Sequence, residues 1–285
     1  GGVPAHAAVS ATVAVAPRRV RGLCNAVLRR VSESQPSPPS RAVELSYPDW
    51  ILETLTADLG EADAVEALEA MNRPAAAVVR EDGYHQDRAS QLVSEVVADG
   101  LADGARVADL CAAPGGKATA VASMGAAVVA ADLRQRRLNL VRSNAKGLCL
   151  KLGLVVADGR RPPLRPGSFD RVLVDAPCSG LGVLRRRADS RWRVKPDDVA
   201  ELADLQVDLL NAALPLVASG GLLVYSVCTL TAAETTGVDE RFREATGAVP
   251  TGPLSTPWRA HGAGGLLLPQ DLDAEGMAVF RYEVA

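Results

Sequence analysis

Metal-binding side chains are scarce in this sequence: three histidines and five cysteines among 285 residues. No CxxC pair and no Cys/His ligand spacing occurs, so no structural metal site is expected. The cysteines, Cys24, Cys111, Cys149, Cys178 and Cys228, are odd in number and widely spread, which argues against a disulfide framework. Long apolar runs are also missing. The longest uncharged stretch near the start, "GGVPAHAAVSATVAVAP", lacks a basic flank and is too polar and short to span a bilayer. Neither a signal peptide nor a membrane span is expected, and the protein reads as cytoplasmic. Nor does one sign of charge prevail, with 31 basic and 34 acidic residues and a net charge of −3.

An apolar content of 48% is ample for a sizeable core. Charge is clustered even though it is balanced overall. Residues 185–195, "RRRADSRWRVK", hold six basic residues against Asp189 alone, and residues 18–30 hold five arginines and no acid. Two such clusters in a mildly acidic chain suit a phosphate-facing surface.

The pattern divides the chain into four parts. Residues 1–32 read as helical, with Val20, Leu23, Cys24, Val27 and Leu28 on one face and arginines on the other. Residues 33–47 form a linker begun by "SESQPSPPS", which cannot extend a helix. Residues 48–83 form a helical unit with a stripe through Leu52, Leu55, Leu59, Val65, Leu68 and Met71. Residues 84–285 alternate helices with short Val/Leu/Ala runs, the rhythm of an α/β parallel sheet covered on both faces.

In such a sheet ligands bind beyond the carboxyl ends of the strands. The first strand ends in "DLCAAPGGKAT", where Gly115 and Gly116 allow close backbone approach before a helix N-terminus. Neither the P-loop pattern nor GxGxxG is present. Four successive strands read as ending in Asp109, Asp132, Asp158 and Asp175, with Asp132 near the ~20-residue offset of a ribose-binding carboxylate. Acids and a Gly-rich turn together fit an adenosine-type cofactor. Cys24 and Cys149 read as inert core thiols. Cys178, after "DAP", and Cys228, in "YSVCTL", instead stand at neighbouring strand ends and are expected to share one cleft whose cations favour the thiolate.

The elements "QDRASQLV", "DLCAAPGGKAT", "DLRQRRL", "DAPCSGLG", "RWR", "YSVCTL" and "EGMAVFRY" resemble the RNA cytosine-C5 methyltransferases of the NOL1/NOP2/Sun group over residues 84–285. The opening "GGVPAHAAVSATVAVA" and "GLCNAVLRRV" resemble the last helices of a NusB-like RNA-binding domain, which points to the bacterial branch acting on small-subunit (16S) ribosomal RNA. The resemblance implies a Rossmann-like class I methyltransferase sheet behind an N-terminal all-α NusB-like portion. It implies S-adenosylmethionine against Cys111, Ala112, Ala113, Pro114, Gly115, Gly116 and Lys117, with Asp132 on the ribose, Asp158 near the adenine and Asp175 between the methionine end and the base. Cys228 would be the nucleophile and Cys178 the residue that helps release product, with Lys117 and Asp175 completing the catalytic set. RNA would be held by Arg29, Arg30, Arg185, Arg186, Arg187, Arg191, Trp192 and Arg193. A monomer without metal is expected. The chain departs from the family pattern at Val227, where threonine is usual, at Gln270 for histidine and at Ala188 for proline.

Two other readings compete. A DNA-type cytosine-C5 enzyme would use Pro177-Cys178 as its nucleophilic motif, leaving Cys228 structural. A non-catalytic RNA-binding assembly factor would have kept the fold without the chemistry.

Overall fold

The computed structural model describes residues 3–34 and 38–284, so the centre of the Pro/Ser linker, residues 35–37, lies outside the described residues. The chain divides into two compact units, residues 1–44 and 45–285. In the first unit, helix α1 (Ala5–Val15) meets α2 (Arg21–Glu33) across Pro17 and a short 3-10 turn, and α3 (Arg41–Glu44) follows. The Arg21 guanidinium donates to the carbonyls of Ala14 (2.7 Å) and Ala16 (3.0 Å), closing the α1–α2 corner. The apolar face expected on α2 is not a buried one: Leu23 is 67% and Val27 50% exposed.

The second unit begins with two helices that carry the apolar stripe expected of the helical unit, with Leu55, Leu68 and Met71 buried. Gly60, at φ +85°, ends α4 (Asp49–Leu59) and starts α5 (Glu61–Met71), a backbone turn that a side chain would strain. After α6 (Arg88–Ala98) come β1 (Arg106–Asp109), α7 (Gly116–Ser123), β2 (Ala127–Asp132), α8 (Gln135–Gly147), β3 (Gly153–Val156) and β4 (Phe169–Asp175). The chain continues through α9 (Pro196–Ala213), β5 (Val217–Val227), α10 (Thr236–Thr246), β6 (Val249–Pro250), β7 (Arg259–His261), β8 (Gly264–Leu267), α11 (Pro269–Leu272) and β9 (Met277–Glu283).

One sheet runs in the order β3-β2-β1-β4-β5-β9-β8-β7, with β6 also paired to β9. Strands β1 to β5 are parallel, and β9, β8 and β7 are antiparallel. This is the Rossmann-like α/β architecture expected. Alternate strand residues feed two cores: Val172, Val174, Leu223 and Tyr225 on one face, Leu173, Val224 and Val279 on the other. Covering both faces explains why the strands read as unbroken apolar runs. Strand order reverses between β1 and β4, and that switch point opens a crevice at the ends carrying Asp109 and Asp175. Among the described residues no helix is long and apolar enough to cross a membrane.

Candidate active site

The crevice is a cleft of about 490 Å³ lined by Cys111 to Pro114, Gly116, Lys117, Asp175, Cys178 and Cys228, and on its far wall by Gln86, Asp87, Arg186, Arg187 and Glu275. Its floor follows from the turn after β1. Gly115, at φ +107°, directly precedes α7, and a Cβ there would lie 3.1 Å from the Val141 Cα. The backbone therefore comes close to α8 and leaves the α7 N-terminus open to the cleft. A second glycine shapes the thiol side. A Cβ on Gly182 would stand 2.4 Å from the Gly276 carbonyl, and the Gly182 amide donates to the carbonyl of Cys228 (3.0 Å). The loops carrying Cys178, Cys228 and Glu275 are thereby drawn together.

The Lys117 ammonium, almost wholly buried, donates to Asp175 Oδ2 at 2.7 Å, and Ser226 Oγ donates to Asp175 Oδ1 at 2.8 Å. Burial works against the Lys117 charge, but Asp175, then Cys228 and Asp109, outweigh it and raise its proton affinity. Asp109 is pushed up to about 8, by burial first and then by the Asp175 charge. Its Oδ2 is buried without a hydrogen-bond partner, as is Nε2 of Gln86, whose own Oε1 accepts from Arg80 at 2.9 Å. Two unpartnered polar atoms thus border the same Gly-rich turn.

The two thiols stand 3.3 Å apart, Sγ to Sγ, which is hydrogen-bond contact rather than a covalent bond. The expectation that cations favour the thiolate is corrected for Cys178. Its hydrogen bond to Cys228, its burial and the nearby charges of Cys228 and Glu234 raise its proton affinity well above a free thiol's. Cys111 is raised as well, by burial and then by Asp109. Cys149 is no core thiol: it is exposed, just past the end of α8, at φ +56°.

Asp132 ends β2 as expected, buried, its Oδ1 accepting from the Arg134 amide at 2.9 Å. Asp158 does not end a strand. Strand β3 stops at Val156, and the Asp158 carboxylate folds onto Arg160 in its own loop, with Arg160 Nη2 at 2.7 Å. That pairing holds Asp158 low, at about 2.

The basic block needs a larger correction. Arg185 is enclosed, donating to the Arg73 carbonyl (2.9 Å) and to the carbonyl (2.8 Å) and carboxylate (2.5 Å) of Asp273. Arg191 is buried, its guanidinium 4.0 Å above the Tyr47 ring and bonded to the Ser46 carbonyl and Asn72 Oδ1, both at 2.9 Å. These two cations are used by the fold and are not free phosphate ligands. Arg187, Trp192 and Arg193 do face solvent, as do Arg29 and Arg30 on α2. Arg193 pairs with Asp189 at 2.8 Å.

On the far wall, sequence reasoning named Arg186 and Arg187 but missed Gln86, Asp87 and Glu275. Asp87 caps α6, accepts from the Glu275 amide at 3.0 Å and pairs with Arg186 at 3.2 Å, and Arg186 also reaches Glu275 at 3.3 Å. Burial, then the Asp87 charge, pushes Glu275 up to about 7. A raised acid stabilises the fold only while protonated. That contribution is complete below the ordinary value of 4.5 and is lost as pH rises to about 7. Glu275→Gln is therefore expected to lose less stability than the parent between these limits, by up to about 3 kcal/mol, in urea unfolding at pH 5 and pH 8. Equal pH dependence of the two proteins would contradict it. Among the described residues no group of three or more His, Cys, Asp or Glu could hold a metal ion.

Comparison with known proteins gives a consistent result. The family profile "16S rRNA methyltransferase RsmB/F" matches residues 98–277. The methyltransferase-type protein MT1451 of Mycobacterium tuberculosis is 47% identical over 180 residues, 60% of this chain and 39% of that protein. Ribosomal RNA small subunit methyltransferase B of Thermus thermophilus is 37% identical over 269 residues, 85% of this chain and 66% of that one. Less than two thirds of either relative's length is thus spanned. The structure of NSun6 from Pyrococcus horikoshii with SFG aligns with a TM-score of 0.59 and 26% identity, over 70% of this chain and 52% of that one.

Proposed function

Because the chain belongs to the 16S rRNA methyltransferase RsmB/F family, we propose that it methylates carbon 5 of a cytosine in small-subunit ribosomal RNA, using S-adenosylmethionine and a transient bond between Cys228 and the base. One observation carries this reading: two thiols 3.3 Å apart open into the same cleft as a buried Lys117 paired to the half-buried Asp175. Neither amino-group methylation nor a binding role needs that arrangement. Acting on ribosomal RNA, the enzyme works in the cytoplasm.

The cleft suits S-adenosylmethionine. The Gly-rich turn brings the backbone to the cleft floor before the α7 N-terminus, and among the described residues the buried Asp109 Oδ2 and Gln86 Nε2 lack partners. Residues Cys111 to Lys117 would hold the cofactor, with Asp132 on its ribose and Asp158 towards its adenine; the choice of cofactor, though not these contacts, is supported by the sinefungin (SFG) of the NSun6 structure. When bound, the cofactor supplies a methyl carbon made electrophilic by its sulfonium charge.

Carbon 5 of cytosine is too weak a nucleophile unaided. Addition of Cys228 Sγ to carbon 6 turns the ring into an enamine whose carbon 5 is reactive. The proton of the Cys228 thiol passes to N3 as the sulfur adds, so the ring gains no net negative charge; Asp175 accepts from the N3–H so formed, and the Lys117 ammonium and Ser226 hold that carboxylate in place. Cys178 begins as a thiol hydrogen-bonded to Cys228. Once Cys228 is a thioether, the largest cause of the high Cys178 proton affinity is gone. Cys178 can then release its proton to solvent and take the proton from carbon 5. The electron pair of that C–H bond restores the carbon 5–carbon 6 double bond and expels Cys228. The same proton affinity argues against Cys178 as the attacking thiolate. Arg187, Arg193 and Trp192 on the exposed basic loop, with Arg29 and Arg30, suit the RNA backbone and an unstacked base.

The test is methyl transfer from labelled S-adenosylmethionine to small-subunit ribosomal RNA, followed by nucleoside mass spectrometry. 5-Methylcytidine is the expected product. Methylation at another atom, or none from protein shown to bind the cofactor, would overturn the reading.

A further inference from the structure

Glu234 lies directly after β5, in "TLTAAETT", and is completely buried. Among the described residues no cation pairs with it. Its carboxylate is instead met by five hydrogen-bond donors. Oε1 accepts from the Ser179 amide (2.8 Å) and Gln206 Nε2 (3.1 Å). Oε2 accepts from the hydroxyls of Ser179 (2.5 Å), Thr229 (3.1 Å) and Thr231 (3.1 Å). Gln206 also donates to the Pro177 carbonyl (2.8 Å), and Tyr225 Oη donates to the Glu234 carbonyl (2.6 Å).

The donors occupy telling positions. Pro177 and Ser179 flank Cys178, and Thr229 follows Cys228. The two thiols come from separate loops, one after β4 and one after β5. From this we infer that Glu234 is a positioning residue, whose carboxylate clamps the Cys178 loop to the Cys228 loop and so sets the distance between the two sulfurs. The inference rests on the proposed roles of those thiols, but the clamp itself is a matter of geometry.

The place supplies donors to both carboxylate oxygens. All five partners donate, and both oxygens must accept from more than one of them. The amide of a glutamine keeps one accepting oxygen and puts an NH2 group in place of the other, so either a donor-only partner (the Ser179 amide or Gln206 Nε2) or the shared hydroxyl contacts must rearrange. A buried carboxyl group is costly unless its oxygens are satisfied, so these hydrogen bonds tie the loops tightly. The Glu234 charge also contributes to the raised proton affinity of Cys178, so the clamp influences both the place and the protonation of that thiol.

The test compares the parent with Glu234→Gln and with the milder Ser179→Ala, which removes the 2.5 Å bond to Glu234 and the 2.9 Å contact between the Ser179 and Thr229 hydroxyls while keeping the Ser179 amide bond. Two readouts are taken on protein shown to bind S-adenosylhomocysteine within twofold of the parent. The first is the rate at which diamide closes the Cys178–Cys228 disulfide, which reports sulfur spacing without any catalysis. The second is kcat for RNA methylation. Glu234→Gln is expected to slow disulfide closure at least tenfold and to lower kcat at least thirtyfold with little change in KM for RNA. Ser179→Ala should move both in the same direction by a smaller factor. Should Glu234→Gln fail to fold, Ser179→Ala alone decides. Unchanged disulfide closure in the folded variants would overturn the clamp, whatever happens to activity. A parent that closes its disulfide rapidly but methylates no RNA would instead sink the proposed function and leave the clamp standing.

Discussion

Replacing Cys228 with alanine is expected to lower methyl transfer by at least about 10⁴-fold, because the unassisted base offers no nucleophilic carbon and the variant has no second route to one. Cys178 is only 3.3 Å away, but it sits on a different loop and holds its proton tightly. Alanine keeps the packing of this half-buried position, so binding of S-adenosylhomocysteine should stay within twofold. The substitution also removes the hydrogen bond that most strongly raises Cys178. Alkylation of Cys178 by iodoacetamide is therefore expected to begin at lower pH in the variant. Methyl transfer within tenfold of the parent would contradict the assignment of Cys228.

Lys117→Met is the second large effect. Methionine nearly matches the lysine in length while deleting the charge that faces Asp175 at 2.7 Å. Losing one aimed positive group from a largely dry site costs about 10²–10³ in kcat. Stability should fall as well, by about 1–3 kcal/mol, since the half-buried Asp175 loses the cation facing it and keeps only the Ser226 hydroxyl. Lys117 is also what restrains Asp109, already pushed up to about 8. Without the ammonium Asp109 binds its proton more tightly still, and an acid raised in the folded state weakens the fold as pH rises. The deficit should therefore be larger at pH 8.5 than at pH 5.5 in urea unfolding. A pH-independent deficit, or a kcat within threefold of the parent, would count against Lys117 as the charge that serves the site.

The parallel strands were legible because both their faces are buried, which leaves unbroken Val/Leu/Ala runs closed by an acid at Asp109, Asp132 and Asp175. The two thiols were legible because Cys178 and Cys228 follow strands β4 and β5, which pair in parallel register. What stayed hidden depends on partners far away in the chain. Arg185 looks like surface charge until Arg73 and Asp273 enclose it, and Arg191 until Tyr47 does. Glu234 sits in a polar run with no periodicity, and its role rests on Ser179, 55 residues earlier. Glu275 and Asp87 meet only because β9 returns antiparallel beside β5. The break at Gly60 had a local signal, a glycine within a helical stripe, but a glycine there is also compatible with a continuous helix. The α2 stripe reads correctly as amphipathic, yet amphipathicity does not tell what, if anything, covers the apolar side.

The central claim is that Cys228 bonds to the base and Cys178 releases it. Small-subunit ribosomal RNA carrying 5-fluorocytosine tests this most directly, since fluorine on carbon 5 cannot leave as a proton and the adduct is trapped. With S-adenosylmethionine present, a denaturation-resistant protein–RNA band is expected from the parent and from Cys178→Ala, and none from Cys228→Ala. A band that persists in Cys228→Ala and disappears in Cys178→Ala would contradict the account and move the nucleophile to the loop after β4.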